Sequence, residues 1–110
     1  MIKTIRLLLE YNTYCIWLYD EDCEIIDNDN PPEWDDDAEL TNAFMAVSDL
    51  YDTFFVDNEK EFSFIGCPNK ETEQKLRNLF AVALDLLMKK NNGKYQIKND
   101  VSFDHLYIAN

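Results

Sequence analysis

The chain has 110 residues, of which 46% are hydrophobic and only two are glycine. It therefore has enough apolar surface to fold as one small domain over residues 1–110. This composition excludes a linker or a disordered acidic tail. Its net charge of -12 disfavours contact with nucleic acid and anionic membranes and favours basic partners. The three cysteines have no metal-binding spacing, and no apolar run is long enough to span a membrane. We therefore expect a cytoplasmic protein with free thiols.

The N-terminal segment, residues 1–17, is expected to belong to the folded domain. It has bases at Lys3 and Arg6, but it lacks the long apolar core and the small-residue cleavage site of a signal peptide. Apolar residues at positions 5, 7, 9 and 11 alternate with other residues, which favours a strand, although Leu8 also permits a short helix.

A β-hairpin is predicted next. The segments YCIWLYD (14–20) and EIID (24–27) are rich in aromatic and β-branched residues, and EDC between them offers a turn. Pro31 and Pro32 should then end regular structure, because proline lacks the backbone donor and keeps the preceding residue extended.

Two amphipathic helices are predicted in the rest of the chain. Asp36 and Glu39 have the spacing of a capping box at the start of the first helix. Its apolar stripe is Leu40, Phe44, Val47 and Tyr51. Asn69 is a candidate N-cap for the second helix, and Gly93 a candidate stop. The apolar stripe of the second helix is Leu76, Leu79, Phe80, Ala83, Leu86 and Leu87.

The remaining segments complete the predicted fold. TFFVD (53–57) and EFSFIG (61–66) form a second hairpin, and KYQIK (94–98) forms a last strand. This order predicts an α+β fold, with a mainly antiparallel sheet of about five strands and two principal helices packed on it. Periodicity places six aromatic residues in the core: Trp17, Tyr19, Phe44, Phe62, Phe64 and Phe80.

The most distinctive stretch is DEDCEIIDNDNPPEWDDDAE, residues 20–39, with eleven carboxylates and no lysine or arginine. It lies within a 53-residue interval between Arg6 and Lys60 that has sixteen acids and no base. Turns and a helix start account for roughly half of the carboxylates in the stretch. Soluble surfaces normally mix both signs of charge, so the stretch predicts a face complementary to a basic partner.

The candidate partner-contact residues form a charged rim with one aromatic anchor. They are Asp20, Glu21, Asp22, Asp27, Asp29, Glu33, Trp34, Asp35, Asp36 and Asp37. Trp34 has two interpretations: a loop anchor tucked against the sheet, or a binding hot spot inside a charged rim.

Metal binding and catalysis fit this stretch poorly. An EF-hand loop starting at Asp20 or at Asp27 lacks both the glycine at position 6 and the glutamate at position 12. There is no phosphate-binding glycine loop, and no nucleophile signature accompanies the sole histidine, His105 beside Asp104. We therefore expect a non-enzymatic protein with no metal and no cofactor. A small hydrolase with paired carboxylates is a minor alternative.

Two stretches, YCIWLYDEDCEIIDNDNPPEW and YDTFFVDNEKEFSFIG, resemble small acidic immunity proteins encoded beside bacterial polymorphic toxins, including those of contact-dependent inhibition systems. The resemblance implies a protein that binds one cognate toxin domain, often a nuclease, and blocks it without catalysis. Cys23 departs from the pattern, since glycine is the natural turn residue at its position. The resemblance and the charge agree, because nucleases present basic clefts to their substrates.

The leading hypothesis is thus a cytoplasmic immunity or inhibitor protein that binds a basic toxin domain through an acidic face. The second hypothesis is a nucleic-acid mimic of the anti-restriction or anti-CRISPR type, which would need carboxylates spaced like phosphates along an extended face. The sequence leaves open the partner's identity and whether the chain forms homo-oligomers.

Overall fold

A computed structural model of the protein describes residues 2–58, 60–103 and 106, and the pair Asp104 and His105 lies outside them. The described residues form six short strands, two α-helices and one 3₁₀ turn. In chain order these are β1 (Thr4–Leu7), β2 (Ile16–Tyr19), β3 (Ile25–Asp27), the 3₁₀ turn (Pro32–Trp34), α1 (Ala38–Asp52), β4 (Phe55–Asp57), β5 (Phe62–Phe64), α2 (Lys70–Asn91) and β6 (Gln96–Asn99).

The main sheet has four strands in the order β3-β2-β1-β6. The β2–β3 and β1–β2 pairs are antiparallel, and β6 lies parallel to β1. Period-two burial is clear along β1 and β2, where Ile5, Leu7, Ile16 and Leu18 are buried while the residues between them are partly exposed. The N-terminal segment therefore forms a strand, as its alternation favours, and the short helix at Leu8 is not formed.

Both helices contribute their predicted apolar stripes to a common core. The fully or nearly buried helix residues include Leu40, Phe44, Val47 and Tyr51 of α1 and Leu76, Phe80, Ala83 and Leu87 of α2. Burial of these apolar stripes against each other and the sheet is the main stabilising term.

The α+β class with two principal helices is confirmed, while the strand arrangement differs from a single, mainly antiparallel sheet of about five strands. β4 and β5 form a separate two-stranded sheet, and the four-stranded sheet is mixed. The parallel β1–β6 pairing arises because α1, β4–β5 and α2 intervene between β3 and β6, and return the chain to the far edge of the sheet. A local hydrophobic pattern does not encode the direction of such a return.

The helix ends follow the expected chemistry, with one shift in position. The N-cap of α1 is Asp37, not Asp36, and its Oδ1 accepts a hydrogen bond from the Leu40 N–H at 3.0 Å. Asn69 caps α2 as predicted, accepting from the Thr72 N–H at 2.8 Å. The last turn of α2 closes through Asn92 in the left-handed conformation, one residue before Gly93.

The core assignment of the aromatics is correct for Phe44 and Phe80 and wrong for Phe62. Phe62 shares a face of the small β4–β5 sheet with Phe55 and Phe64, which pack against the core. At the end of this face Phe62 is 60% exposed, because the residues that the structure describes cover it only in part. Trp17 and Tyr19 are partly exposed, since they alternate with the buried Ile16 and Leu18 on β2.

Candidate functional site: the acidic surface

The turn between β2 and β3 is organised by Asp20. Its Oδ1 accepts hydrogen bonds from the backbone N–H groups of Asp22 at 2.9 Å and Glu24 at 3.0 Å. The turn places Cys23 at a φ of 63°, in the left-handed region where glycine has no steric cost. Asp20 therefore has a structural role in addition to any contact with a partner.

Two asparagines join the loop after β3 to the neighbouring elements. The Asn28 side chain donates to the carbonyl oxygens of Tyr14 at 2.6 Å and Ile16 at 2.9 Å, and accepts from the Tyr14 N–H at 2.9 Å. Asn30 is only 4% exposed; it accepts from the Tyr14 hydroxyl at 2.7 Å and donates to Thr41 Oγ1 at 2.9 Å. The loop is thus joined to β2 on one side and to α1 on the other.

Trp34 packs within the protein, in agreement with the loop-anchor interpretation. Its side chain is partly buried against the hydrophobic core and makes an edge-to-face contact with Tyr95, with ring centroids 5.9 Å apart. The neighbouring Glu33 forms an ion pair with Lys94 at 2.7 Å and accepts a short hydrogen bond from the Tyr95 hydroxyl. The loop is therefore also held to the segment between α2 and β6.

Glu33 and Asp37 are neutralised by bases from the second half of the chain. Asp37 forms an ion pair with Lys90 at 2.5 Å, in addition to capping α1. Hydrogen bonds from Lys90 and from the helix backbone lower the pKa of Asp37. Desolvation alone would raise the pKa of Glu33, but hydrogen bonds from Lys94 and Tyr95 bring it below its ordinary value. A lowered pKa is the opposite of what a general acid needs at neutral pH.

The other carboxylates of the stretch face solvent. Eight of them are exposed and form no ion pair with any residue that the structure describes. We call this set the acidic surface: Glu21, Asp22, Glu24, Asp27, Asp29, Asp35, Asp36 and Glu39. All three residues of β3 are exposed as well, and Ile25, which lies between these acids, is 59% exposed.

The fold brings the acidic surface together around one edge strand. The 20–24 turn and the 28–37 loop flank β3, whose three residues span roughly 10 Å at the usual rise per residue. Because Asn30 connects the loop to Thr41, the acidic start of α1 lies beside the same edge. Of the ten predicted contact residues, six thus belong to this surface, while Asp20, Glu33, Trp34 and Asp37 also have structural roles.

Sequence reasoning missed the residues that support this site. Asparagine near a strand end is typical of side-chain hydrogen bonds to nearby backbone, and this is the local signal that Asn28 and Asn30 carry. Lys90 lies in the last turn of α2 and Lys94 just after it, and both form their ion pairs with the loop only in the folded chain. No local signal connects these lysines to acids more than fifty residues earlier in the chain.

Other chemical features are sparse. In the described ranges, no group of three histidine, cysteine or acidic side chains is arranged to hold a metal ion. Burial raises the pKa of Cys15 to about 12, so its thiol is protonated at neutral pH.

A shallow cavity of about 320 Å³ lies at the four-stranded sheet, bounded in part by Arg6, Tyr19 and Cys23. The Arg6 guanidinium is already engaged by Asp100 at 2.6 Å.

The sequence matches no protein-family model, and comparison with curated proteins and with solved structures finds no match either. Within the ranges that the structure describes, no helix combines the length and apolar character needed to cross a bilayer.

Proposed function

We propose that the protein is a non-enzymatic immunity or inhibitor protein that binds a basic toxin domain, a nuclease being the best fit, and acts in the cytoplasm. The observation that carries this proposal is the acidic surface itself: eight exposed carboxylates around one edge strand, without an ion pair to the described part of the chain.

The pattern of internal neutralisation supports the proposal. The chain has lysines close enough to neutralise Glu33 and Asp37, and it uses them to hold the loop in place. The acids that remain repel one another, which lowers the stability of the free protein. A basic partner relieves this repulsion on binding, and the negative field also accelerates encounter with such a partner.

The supporting geometry also suits binding. Asn28, Asn30 and Trp34 fix the loop through buried or partly buried contacts, so its acids are held in position before a partner arrives. A preformed surface loses less conformational entropy on association than a flexible acidic tail does. This favours one specific partner over general attraction to any basic protein.

The test is charge reversal on the acidic surface with a matched control. Asp22→Lys/Asp36→Lys changes two exposed acids of the surface, and Glu71→Lys/Asp85→Lys makes the same change in net charge on α2. A tagged chain is used to purify its partner from its native cell, and affinity between the two purified proteins is then measured by calorimetry at several salt concentrations.

The expected partner is one basic protein. We expect Asp22→Lys/Asp36→Lys to weaken its binding about tenfold or more, because each reversal removes an attraction and adds a repulsion. The α2 control should bind within roughly twofold of the wild type, because exposed charges, including the Lys89–Asp85 ion pair that it removes, contribute little. Unchanged affinity and unchanged salt dependence in the first variant would refute the proposal. Competition with duplex DNA for several unrelated DNA-binding enzymes would instead identify a nucleic-acid mimic.

A further inference from the structure

A group of three aromatic rings, of which Phe62 is exposed and the other two are partly buried, lies at the C-terminal end of α1. Tyr11, Phe55 and Phe62 form this aromatic cluster, with ring centroids separated by 4.8 Å (Tyr11–Phe55), 5.1 Å (Tyr11–Phe62) and 5.9 Å (Phe55–Phe62). Phe62 is 60% exposed although the alternation of its strand predicts a buried position. Leaving such a ring in water forfeits on the order of 1 kcal/mol of burial energy. An exposed apolar feature of this kind often marks an interaction site.

Carboxylates surround the aromatic cluster. Asp57 Oδ2 accepts from the Tyr11 hydroxyl at 3.1 Å, and Asp52 Oδ1 accepts from the Asn12 N–H at 3.0 Å. Glu10, next to Tyr11, is exposed. These three acids form no ion pair with a base in the described part of the chain. Partial burial raises the pKa of Asp52, against the opposing hydrogen bond from Asn12, so its charge is held at a cost.

Flat aromatic faces beside carboxylates are complementary to a guanidinium group. Arginine stacks on aromatic rings and at the same time donates paired hydrogen bonds to carboxylate oxygens. The chain itself contains the ring half of this arrangement, because the Arg77 guanidinium carbon lies 4.7 Å from the centroid of Phe103. Lysine can satisfy the charge but lacks the planar group that stacks.

We propose that the aromatic cluster, with Glu10, Asp52 and Asp57, is a docking site for an arginine side chain of the basic partner. This inference rests on the proposed function and adds to it a second contact, made by rings as well as by charge. A second copy of the chain is a poor occupant, because a net charge of -12 makes two copies repel. An anionic membrane is disfavoured for the same reason.

The position of the aromatic cluster is compatible with a single partner. The acidic surface lies near the N-terminus of α1 and the cluster at its C-terminus, so the helix separates them by about 22 Å for its fifteen residues. A standard interface covers about 800 Å² on each protein, which is wide enough to include both. In this arrangement the acidic surface contributes mainly to encounter rate, and the cluster contributes the buried hot spot.

The experiment uses the ¹⁵N-labelled chain and two probes, a hexa-arginine peptide and a hexa-lysine peptide. Backbone amides of Asn12, Asp57 and Phe62 report the aromatic cluster, and those of residues 21–36 report the acidic surface. We expect the arginine peptide to shift the cluster amides at lower concentration than the lysine peptide does.

Two variants isolate the ring. Phe62→Leu keeps an apolar side chain and removes the aromatic face, and Phe62→Ser removes both; each should weaken arginine-peptide binding at the cluster roughly two- to fivefold. Val82→Ser is the matched control, since Val82 is 65% exposed on α2 away from the cluster. It should leave the titration unchanged. Thermal melts followed by circular dichroism check that each variant folds. If Phe62→Ser does not fold, Phe62→Leu alone is sufficient for the test.

The possible outcomes separate this inference from the proposed function. Shifts confined to residues 21–36 overturn the arginine site and leave the acidic surface standing. Cluster shifts that are equal for both peptides, or unchanged in Phe62→Leu, also overturn it, because they show attraction by charge alone. Arginine-selective shifts at the cluster support the arginine site. If the amides of residues 21–36 do not shift in the same titration, that result counts against the acidic surface as a binding site.

Discussion

Asn30 offers the sharpest test of how the acidic loop is held. Asn30→Ala removes an acceptor for the Tyr14 hydroxyl and a donor to Thr41, two hydrogen bonds that are partly buried. Burial raises the pKa of Tyr14 far above its usual value, partly offset by hydrogen bonds that include the one to Asn30. The Tyr14 hydroxyl therefore stays protonated and needs an acceptor, and Asn30 supplies it.

The magnitude follows from the two bonds. Each side-chain hydrogen bond contributes about 1 kcal/mol net, and a buried group left without a partner adds about 1 kcal/mol or more. Thr41 can still accept from the Tyr14 hydroxyl, which limits the loss. We expect Asn30→Ala to lower the free energy of unfolding by about 2–3 kcal/mol, a decrease in melting temperature of roughly 10 °C for a domain of this size.

Urea unfolding followed by circular dichroism measures this change. Asn42→Ala is the control, because Asn42 is an exposed residue of α1, and its effect should stay within about 0.5 kcal/mol. Tyr14→Phe completes a double-mutant cycle, for which we expect a coupling energy of about 1 kcal/mol with Asn30→Ala. A coupling near zero, or an Asn30→Ala effect no larger than the control's, would show that these hydrogen bonds do not hold the loop.

Three further predictions concern charge and thiols in the same region. The folded-state pKa values of Glu33 and Asp37 lie below the ordinary 4.5 and 3.8, so their ion pairs stabilise the fold at neutral pH and this stability is lost as the pH falls below those values. Glu33→Gln/Asp37→Asn should therefore flatten the loss of stability between about pH 5 and pH 2. An unchanged slope in acid unfolding contradicts this prediction. Cys23→Gly should stabilise by about 0.5 kcal/mol in urea unfolding, since it relieves the positive φ; a destabilised variant refutes the strain argument. In native protein at about pH 8 a thiol reagent should label Cys23 rapidly and buried Cys15 slowly, and equal labelling rates would exclude the protected Cys15 environment.

The neutralised acids and the exposed acids of residues 20–39 have different roles. Glu33 and Asp37 attach the loop to the C-terminal half through Lys94 and Lys90, whereas Asp22 and its exposed neighbours keep their charge available. Mutations in the two groups should thus have different signatures: loss of stability for the first, and loss of partner affinity for the second.

The sequence by itself determined the local elements and the charge imbalance. Alternation in β1 and β2, the helical stripes of α1 and α2, and the cap at Asn69 are recognisable because they depend on residues within one or two turns of each other. The excess of acids over residues 20–39 is likewise a property of the chain. It predicts a negative face whatever the topology.

Only the tertiary structure decided which charges remain unpaired and which rings remain in water. Lys90 and Lys94 approach the loop because α2 packs beside α1, and the core position expected for Phe62 fails because the small sheet is uncovered there. Whether a side chain is ion-paired or buried depends on the residue that it contacts in the folded chain. Such contacts join residues that are far apart in the sequence. A local pattern records which face of an element is apolar, but the packing partner determines whether that face is covered.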